Sequence, residues 1–189
     1  YCSVSPLNRP AADRSIQFIN RQSEVGRGML FEYVGDDHVA TRFHKNFGQL
    51  LKTAPENISM TTNTSEAISM IANGYPFEPG DEVISYINEY PANHYPWVLQ
   101  SKKRGVDLIL LSDVATPQED RPYCGKIPDV LAKGWSFDEL QARVTPRTKV
   151  IALSHVQFTN GFAADLEQLG QFCKSQGIDL VIDAAQGLG

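Results

Sequence analysis

Cysteine is scarce in this chain of 189 residues: there are three, Cys2, Cys124 and Cys173, odd in number and far apart. That pattern excludes a disulfide framework and a thiolate metal site, so free thiols in a reducing compartment and no metal are expected. Positive charge is not in surplus either. Lys and Arg number 17 against 22 Asp and Glu, a net charge of −5, which argues against a nucleic-acid partner. No apolar run reaches the roughly 18 residues of a membrane-spanning helix, and no basic segment leads into an apolar one as in a secretion signal. A cytoplasmic protein with no membrane partner is the expectation. Internal repeats and low-complexity segments are absent as well. So is an initiator methionine: Tyr1 opens the chain, and the true start is expected upstream.

What is present is the makings of one core. At 42% hydrophobic and 21% charged, the chain reads as an N-terminal helical or linker segment, residues 1–32, followed by one large domain, residues 33–189. Apolar residues Val39, Phe43, Phe47 and Leu50 recur at helical spacing within 33–51, before Pro55. Strands are expected at 58–62, 82–86, 106–111, 149–154 and 178–182. Helices are expected at 65–73 before Gly74, at 92–103 before Gly105, and at 166–176 before Gly177, where Leu166, Leu169, Phe172 and Cys173 share one face. Ser136-Phe137-Asp138-Glu139 has the spacing of a capping box and should open a short helix. The stretch 112–135, punctuated by Pro117, Pro122, Gly125, Pro128 and Gly134, reads as a surface excursion. Alternation of this kind predicts an α/β fold, a doubly wound and mostly parallel sheet.

The most informative segment is the apolar run Ile178-Asp179-Leu180-Val181-Ile182 ending on Asp183 and continuing Ala184-Ala185-Gln186. A buried parallel strand there delivers Asp183 to the carboxyl edge of the sheet, where open α/β folds place ligands. A carboxylate so placed wants a cationic partner. Read alone, Asp183 is as well explained by capping the next turn. Two other uses of a strand-end Asp fail on the sequence. Magnesium in a nucleotide hydrolase needs Gly-x-x-x-x-Gly-Lys-Ser/Thr, whereas Gly125-Lys126 is followed by Ile127. Gly187-Leu188-Gly189 lies too far past the strand for a dinucleotide turn.

Two upstream segments narrow the choice. Asn63-Thr64-Ser65-Glu66 is an ordinary helix cap by composition, yet the same unpaired N–H groups, dipole end and hydroxyls suit a phosphate. In Glu89-Tyr90-Pro91-Ala92-Asn93, followed by Pro96-Trp97, Tyr90 is either one more strand-end aromatic or a flat ring able to stack on another. Ser154-His155-Val156-Gln157 follows a strand.

Taken together, these motifs resemble the class V aminotransferase family of pyridoxal-phosphate enzymes, which includes cysteine desulfurases, selenocysteine lyases, isopenicillin N epimerases and kynureninases. The resemblance covers about Tyr33 to Gly189 and implies the large domain of a fold type I enzyme. It implies pyridoxal 5'-phosphate as cofactor, a small amino acid as substrate, and a homodimer. By the same resemblance, Thr64 and Ser65 in the turn opened by Asn63 take the phosphate, Tyr90 stacks on the pyridine ring, and Asp183 holds the ring nitrogen protonated. Asp183 and Tyr90 are thus the expected catalytic residues. Phe158 stands where desulfurases carry an Asn that reaches the phenolic oxygen, which leaves Gln186 as the expected donor, with Gln157 or Asn160 as substitutes. Tyr90 stands where desulfurases carry His and points toward the epimerase and kynureninase branches. The family's cofactor-binding lysine is expected beyond Gly189, so the chain reads as a segment of a lyase, epimerase or transaminase, inactive alone. The alternative is a non-catalytic α/β protein used for binding or assembly.

Overall fold

The computed structural model describes residues 6–28, 38–115 and 133–188. Cys2, Cys124, residues 33–37 of the expected first helix and most of the 112–135 excursion lie outside them. Two compact units divide the chain, Ser3–Thr61 and Thr62–Gly189. Among the described residues, no helix is long and apolar enough to cross a membrane.

The Ser3–Thr61 unit holds helix α1, Arg9–Val25, and helix α2, Val39–Leu51. His38 caps α2 by accepting the Ala40 N–H at 3.2 Å, and Lys52 ends it in the left-handed region at φ 53°. The strand expected at 58–62 does not form. Ile58 is buried, but Met60 is 55% exposed, and the Thr62 N–H donates to Glu66 at 2.8 Å rather than to a neighbouring strand. The alternating sequence had the right period for a strand; no described strand pairs with it.

From Thr62 onward the elements are α3 (Thr64–Gly74), β1 (Glu82–Tyr86), α4 (Pro91–Arg104), β2 (Asp107–Leu111), β3 (Val114–Ala115), β4 (Lys133–Gly134), α5 (Phe137–Arg143), β5 (Thr148–Ser154), α6 (Leu166–Gln176) and β6 (Asp179–Asp183). Four strands form one parallel sheet in the order β2-β1-β5-β6, while β3 and β4 pair as a small antiparallel ribbon. Period-two alternation sends Val83, Val150 and Ala152 to one face, against Ile68 and Ala72 of α3 and Trp97 of α4. Ile84, Tyr86, Ile151 and Leu153 face the other way, against Leu140 of α5 and Leu169 and Cys173 of α6. The sheet is therefore doubly wound, with both faces covered, and its strands read as near-continuous apolar runs for that reason.

Glycines close two helices as the sequence predicts: Gly105 after α4 and Gly177 after α6 adopt φ 70° and φ 67°, a region costly for any residue with a Cβ. The capping box is half formed. Ser136 accepts the Glu139 N–H at 3.4 Å, but the Glu139 carboxylate reaches the Ser112 N–H and hydroxyl, each at 3.0 Å, instead of turning back. Burial raises the Cys173 thiol pKa, in keeping with the core position read from its helix face.

At the amino edge of the sheet, Glu82 is 2% exposed and accepts from Thr145 at 2.6 Å, Thr148 at 2.9 Å and the Arg147 guanidinium at 2.8 Å. Burial alone would raise its pKa; these donors and the Arg147 charge outweigh it, and the pKa is lowered. A carboxylate whose folded pKa lies below its unfolded value adds stability at neutral pH, and that stability is lost as pH falls through the folded pKa. Glu82→Gln should therefore cost on the order of 2 kcal/mol at pH 7 and flatten the loss of stability below about pH 5. Denaturant melts between pH 3 and pH 7 test this, and an acid limb unaltered by the substitution would contradict it.

Candidate functional site

Parallel strands share a carboxyl edge, and helix direction brings further groups to it. The Arg104 guanidinium at the end of α4 donates to Asn73 O and Tyr75 O at the end of α3, both at 2.7 Å. Gln100 adds a bond to Asn73 at 2.9 Å. Their C-termini lie side by side, so both helices run against the strands and both N-termini meet the carboxyl edge. The sequence-predicted residues Asn63, Thr64, Ser65, Tyr90, Gln157, Asp183 and Gln186 thus all belong to one edge of the sheet.

Asp183 ends β6, is buried at 7% exposure, and is paired in register with Ser154 of β5. Its Oδ1 accepts the Ala185 N–H at 2.9 Å, which turns the chain as a capping Asp would. Its Oδ2 receives no hydrogen bond among the described residues, so the carboxylate keeps an acceptor for a ligand. The His155 N–H donates to Asp183 O at 2.9 Å. The His155 ring lies on Gly187: a Cβ there would sit 2.2 Å from Nδ1, so only glycine lets the post-strand turn fold back this closely. Gln186 belongs to that same turn, between Ala185 and Gly187.

On β1, the turn into α4 carries a group that sequence reasoning did not single out. Glu89 is 7% exposed and accepts from the Ser154 N–H at 2.8 Å, the Ser154 hydroxyl, the Gln157 amide at 2.7 Å and the Asn93 amide at 3.4 Å. Asn93 in turn accepts from the Trp97 indole at 3.3 Å. Gln157 thus spends an amide hydrogen on Glu89, and its Oε1 is buried with no hydrogen-bond partner among the described residues. The neighbouring Tyr90 and Phe158 are each 47% exposed and meet edge to face, ring centroids 5.0 Å apart at 84°. The pairing itself leaves no local mark on Glu89, because its partners Ser154 and Gln157 lie 65 and 68 residues away. The usable signal is an acidic residue between a buried strand and a proline-started helix with no cation nearby.

Asn63 is the N-cap of α3, its Oδ1 accepting the Glu66 N–H at 2.9 Å and its amide donating to Thr62 at 3.0 Å. Hydrogen bonds from the Thr62 hydroxyl and then its N–H lower the Glu66 pKa. The Thr64 and Ser65 hydroxyls, in the first turn, bond to no described residue. Asn63 shapes this turn, and Thr64, half-buried, and Ser65, exposed, follow it in the first turn of the helix. Asn160 accepts the Phe162 N–H at 3.0 Å, which shapes its own loop.

A doubly wound parallel sheet with an acidic strand end, an aromatic turn and a hydroxyl-rich helix start at one edge is the architecture of a fold type I pyridoxal-phosphate enzyme domain. The chain belongs to the family described as Aminotransferase class-V, which it matches over residues 15–189. It is 31% identical over 142 residues to cysteine desulfurase CsdA of Escherichia coli (strain K12), covering 72% of this chain and 31% of that protein. It is 28% identical over 188 residues to a probable cysteine desulfurase of Methanothermobacter thermautotrophicus, covering 99% of this chain and 43% of the relative. The crystal structure of Escherichia coli CsdA superimposes with a TM-score of 0.64 at 29% identity, covering 79% of this chain and 34% of that one. The chain thus spans about a third to two fifths of the length of these relatives. The epimerase and kynureninase branches suggested by Tyr90 are not among these named relatives, a cysteine desulfurase and a probable one.

The division of labour in the α3 turn predicts a stability difference. Asn63→Ala should cost about 1 kcal/mol through loss of the cap, whereas Thr64→Ala and Ser65→Ala together should change stability by no more than about 0.5 kcal/mol. Denaturant titration distinguishes the two, and equal losses would mean the hydroxyls are structural.

Proposed function

We propose that the whole protein is a pyridoxal-phosphate-dependent enzyme acting on a small amino acid, of the lyase kind represented by its desulfurase relatives. The observation that carries this reading is the Asp183 carboxylate, buried at a strand end, with Oδ2 accepting no hydrogen bond among the described residues. A buried carboxylate seeks a cation, and a pyridinium nitrogen is one.

The donor set fits pyridoxal 5'-phosphate. Asp183 would hold the proton on the ring nitrogen, raising its pKa by charge pairing. Tyr90, half exposed, would cover one ring face by offset stacking. Thr64 and Ser65, with the α3 N–H groups and dipole, would hold the phosphate. Gln186 would donate to the phenolic oxygen, while Asn63 and Gln157 support the site through Glu66 and Glu89 respectively. When bound, the cofactor supplies an electron sink for a bond broken at the substrate's α-carbon. Sulfur-containing amino acids are the favoured substrate class because the named relatives at 28 to 31% identity are desulfurases.

Two experiments on the full-length protein follow. Asp183→Asn keeps the shape but cannot hold the ring nitrogen protonated, so kcat should fall at least about a hundredfold with the fold intact. Activity within a few-fold of the parent would sink the assignment. Replacing both Thr64 and Ser65 by Ala should weaken cofactor affinity, at ~1.5 to 3 kcal/mol for each hydrogen bond to a charged group. Titration by absorbance measures it, and unchanged affinity would reduce the turn to a helix cap.

A further inference from the structure

We propose that Glu89 is a positioning residue of this site: a buried carboxylate that, by binding the β5 exit, fixes the Tyr90 ring in the orientation needed to stack on the cofactor. The inference rests on the function proposed above and extends it to a residue with no direct ligand contact.

The arrangement is a two-rung clamp between two segments. One rung is polar, from Glu89 to the Gln157 amide at 2.7 Å. The next residues along each segment make the second rung, the edge-to-face contact of Tyr90 with Phe158 at 5.0 Å. Consecutive rungs share a backbone, so loosening the first frees the second. The same carboxylate also holds Ser154 by its N–H and hydroxyl, and Ser154 is the register partner of Asp183. Glu89 therefore ties the ring to β5, the strand that pairs with the one carrying Asp183.

A carboxylate is the side chain this geometry requires. All four groups facing it are donors, and a side chain without hydrogens on either oxygen can accept them all. Glutamine would turn an N–H group toward at least one of those donors. Among the described residues no Lys or Arg pairs with Glu89, and a buried carboxylate without such a partner is costly to keep for folding alone. Glu82 shows the contrast. At the opposite edge this carboxylate, also buried, is paired with Arg147 at 2.8 Å.

The test uses the full-length protein, titrated with pyridoxal 5'-phosphate and followed by absorbance and by the induced circular dichroism of the bound cofactor. Glu89→Gln should weaken cofactor affinity about tenfold or more, diminish the induced signal, and lower kcat by a larger factor than it alters KM. Glu82→Gln should lower the melting temperature while leaving affinity and induced signal at the parent values. Phe158→Leu leaves the Glu89 bonds intact, removes the second rung at a half-exposed position, and should reproduce the loss of induced signal in a fully folded protein. Parent-like signal and affinity in either Glu89→Gln or Phe158→Leu would overturn the proposal. Equal spectral loss in Glu82→Gln would also overturn it, because the effect would then follow stability alone. A parent protein that binds no pyridoxal 5'-phosphate would overturn the proposed function itself, and this inference with it.

Discussion

Because β5 is hydrogen-bonded on both sides, to β1 and to β6, its register decides where every group at the carboxyl edge stands. A slip of one residue in the β5–β6 ladder would part Ser154 from Asp183 and turn Ile151 and Leu153 from the α5–α6 face to the α3–α4 face. The two packed faces therefore do more than stabilise the sheet. They lock the register, and the register delivers Asp183, Ser154 and the turn after each strand to one line.

Upon that frame the edge is tied by side chains rather than by further secondary structure. Asp183 turns its own chain through Ala185, His155 rests on Gly187, and Glu89 joins the β1 exit to the β5 exit. The result is a concentration of acceptors and aromatic surface at one edge. The amino edge carries a different chemistry: Glu82 with Arg147, and Tyr75 with Asp179 at 2.8 Å. Burial, then the Asp179 hydrogen bond, pushes the Tyr75 pKa up to about 12, so it stays a donor across the working pH range. One edge is closed on itself; the other keeps, among the described residues, a carboxylate oxygen and two hydroxyls without a hydrogen bond, and two half-exposed rings.

Much of this was legible in the sequence wherever the signal was local. The strand ending on Asp183 is marked by its apolar run, and the helix ends at Gly105 and Gly177 by residues that alone tolerate positive φ at little cost. A cap is legible in the run Asn63-Thr64-Ser65-Glu66, though the capping oxygen comes from Asn63 rather than from Thr64 or Ser65. Non-local features were not legible. Glu89 looks like a solvated turn residue because its β5 partners are far along the chain, and Glu139 abandons its capping role for Ser112 only once β2 and α5 are packed. Residues 58–62 show the reverse failure, a strand-like period with no described strand beside it. Alternation proposes a strand; only a neighbour with free backbone groups makes one.

The central claim is that Asp183 is the counter-ion of a protonated pyridine ring, the condition on which electron withdrawal from an amino acid depends. Nitrogen magnetic resonance of the full-length protein loaded with pyridoxal 5'-phosphate labelled at the ring nitrogen measures that state directly. The account predicts a pyridinium shift that persists at pH values where the free cofactor's nitrogen has lost its proton; a neutral pyridine shift at pH 7 would contradict it.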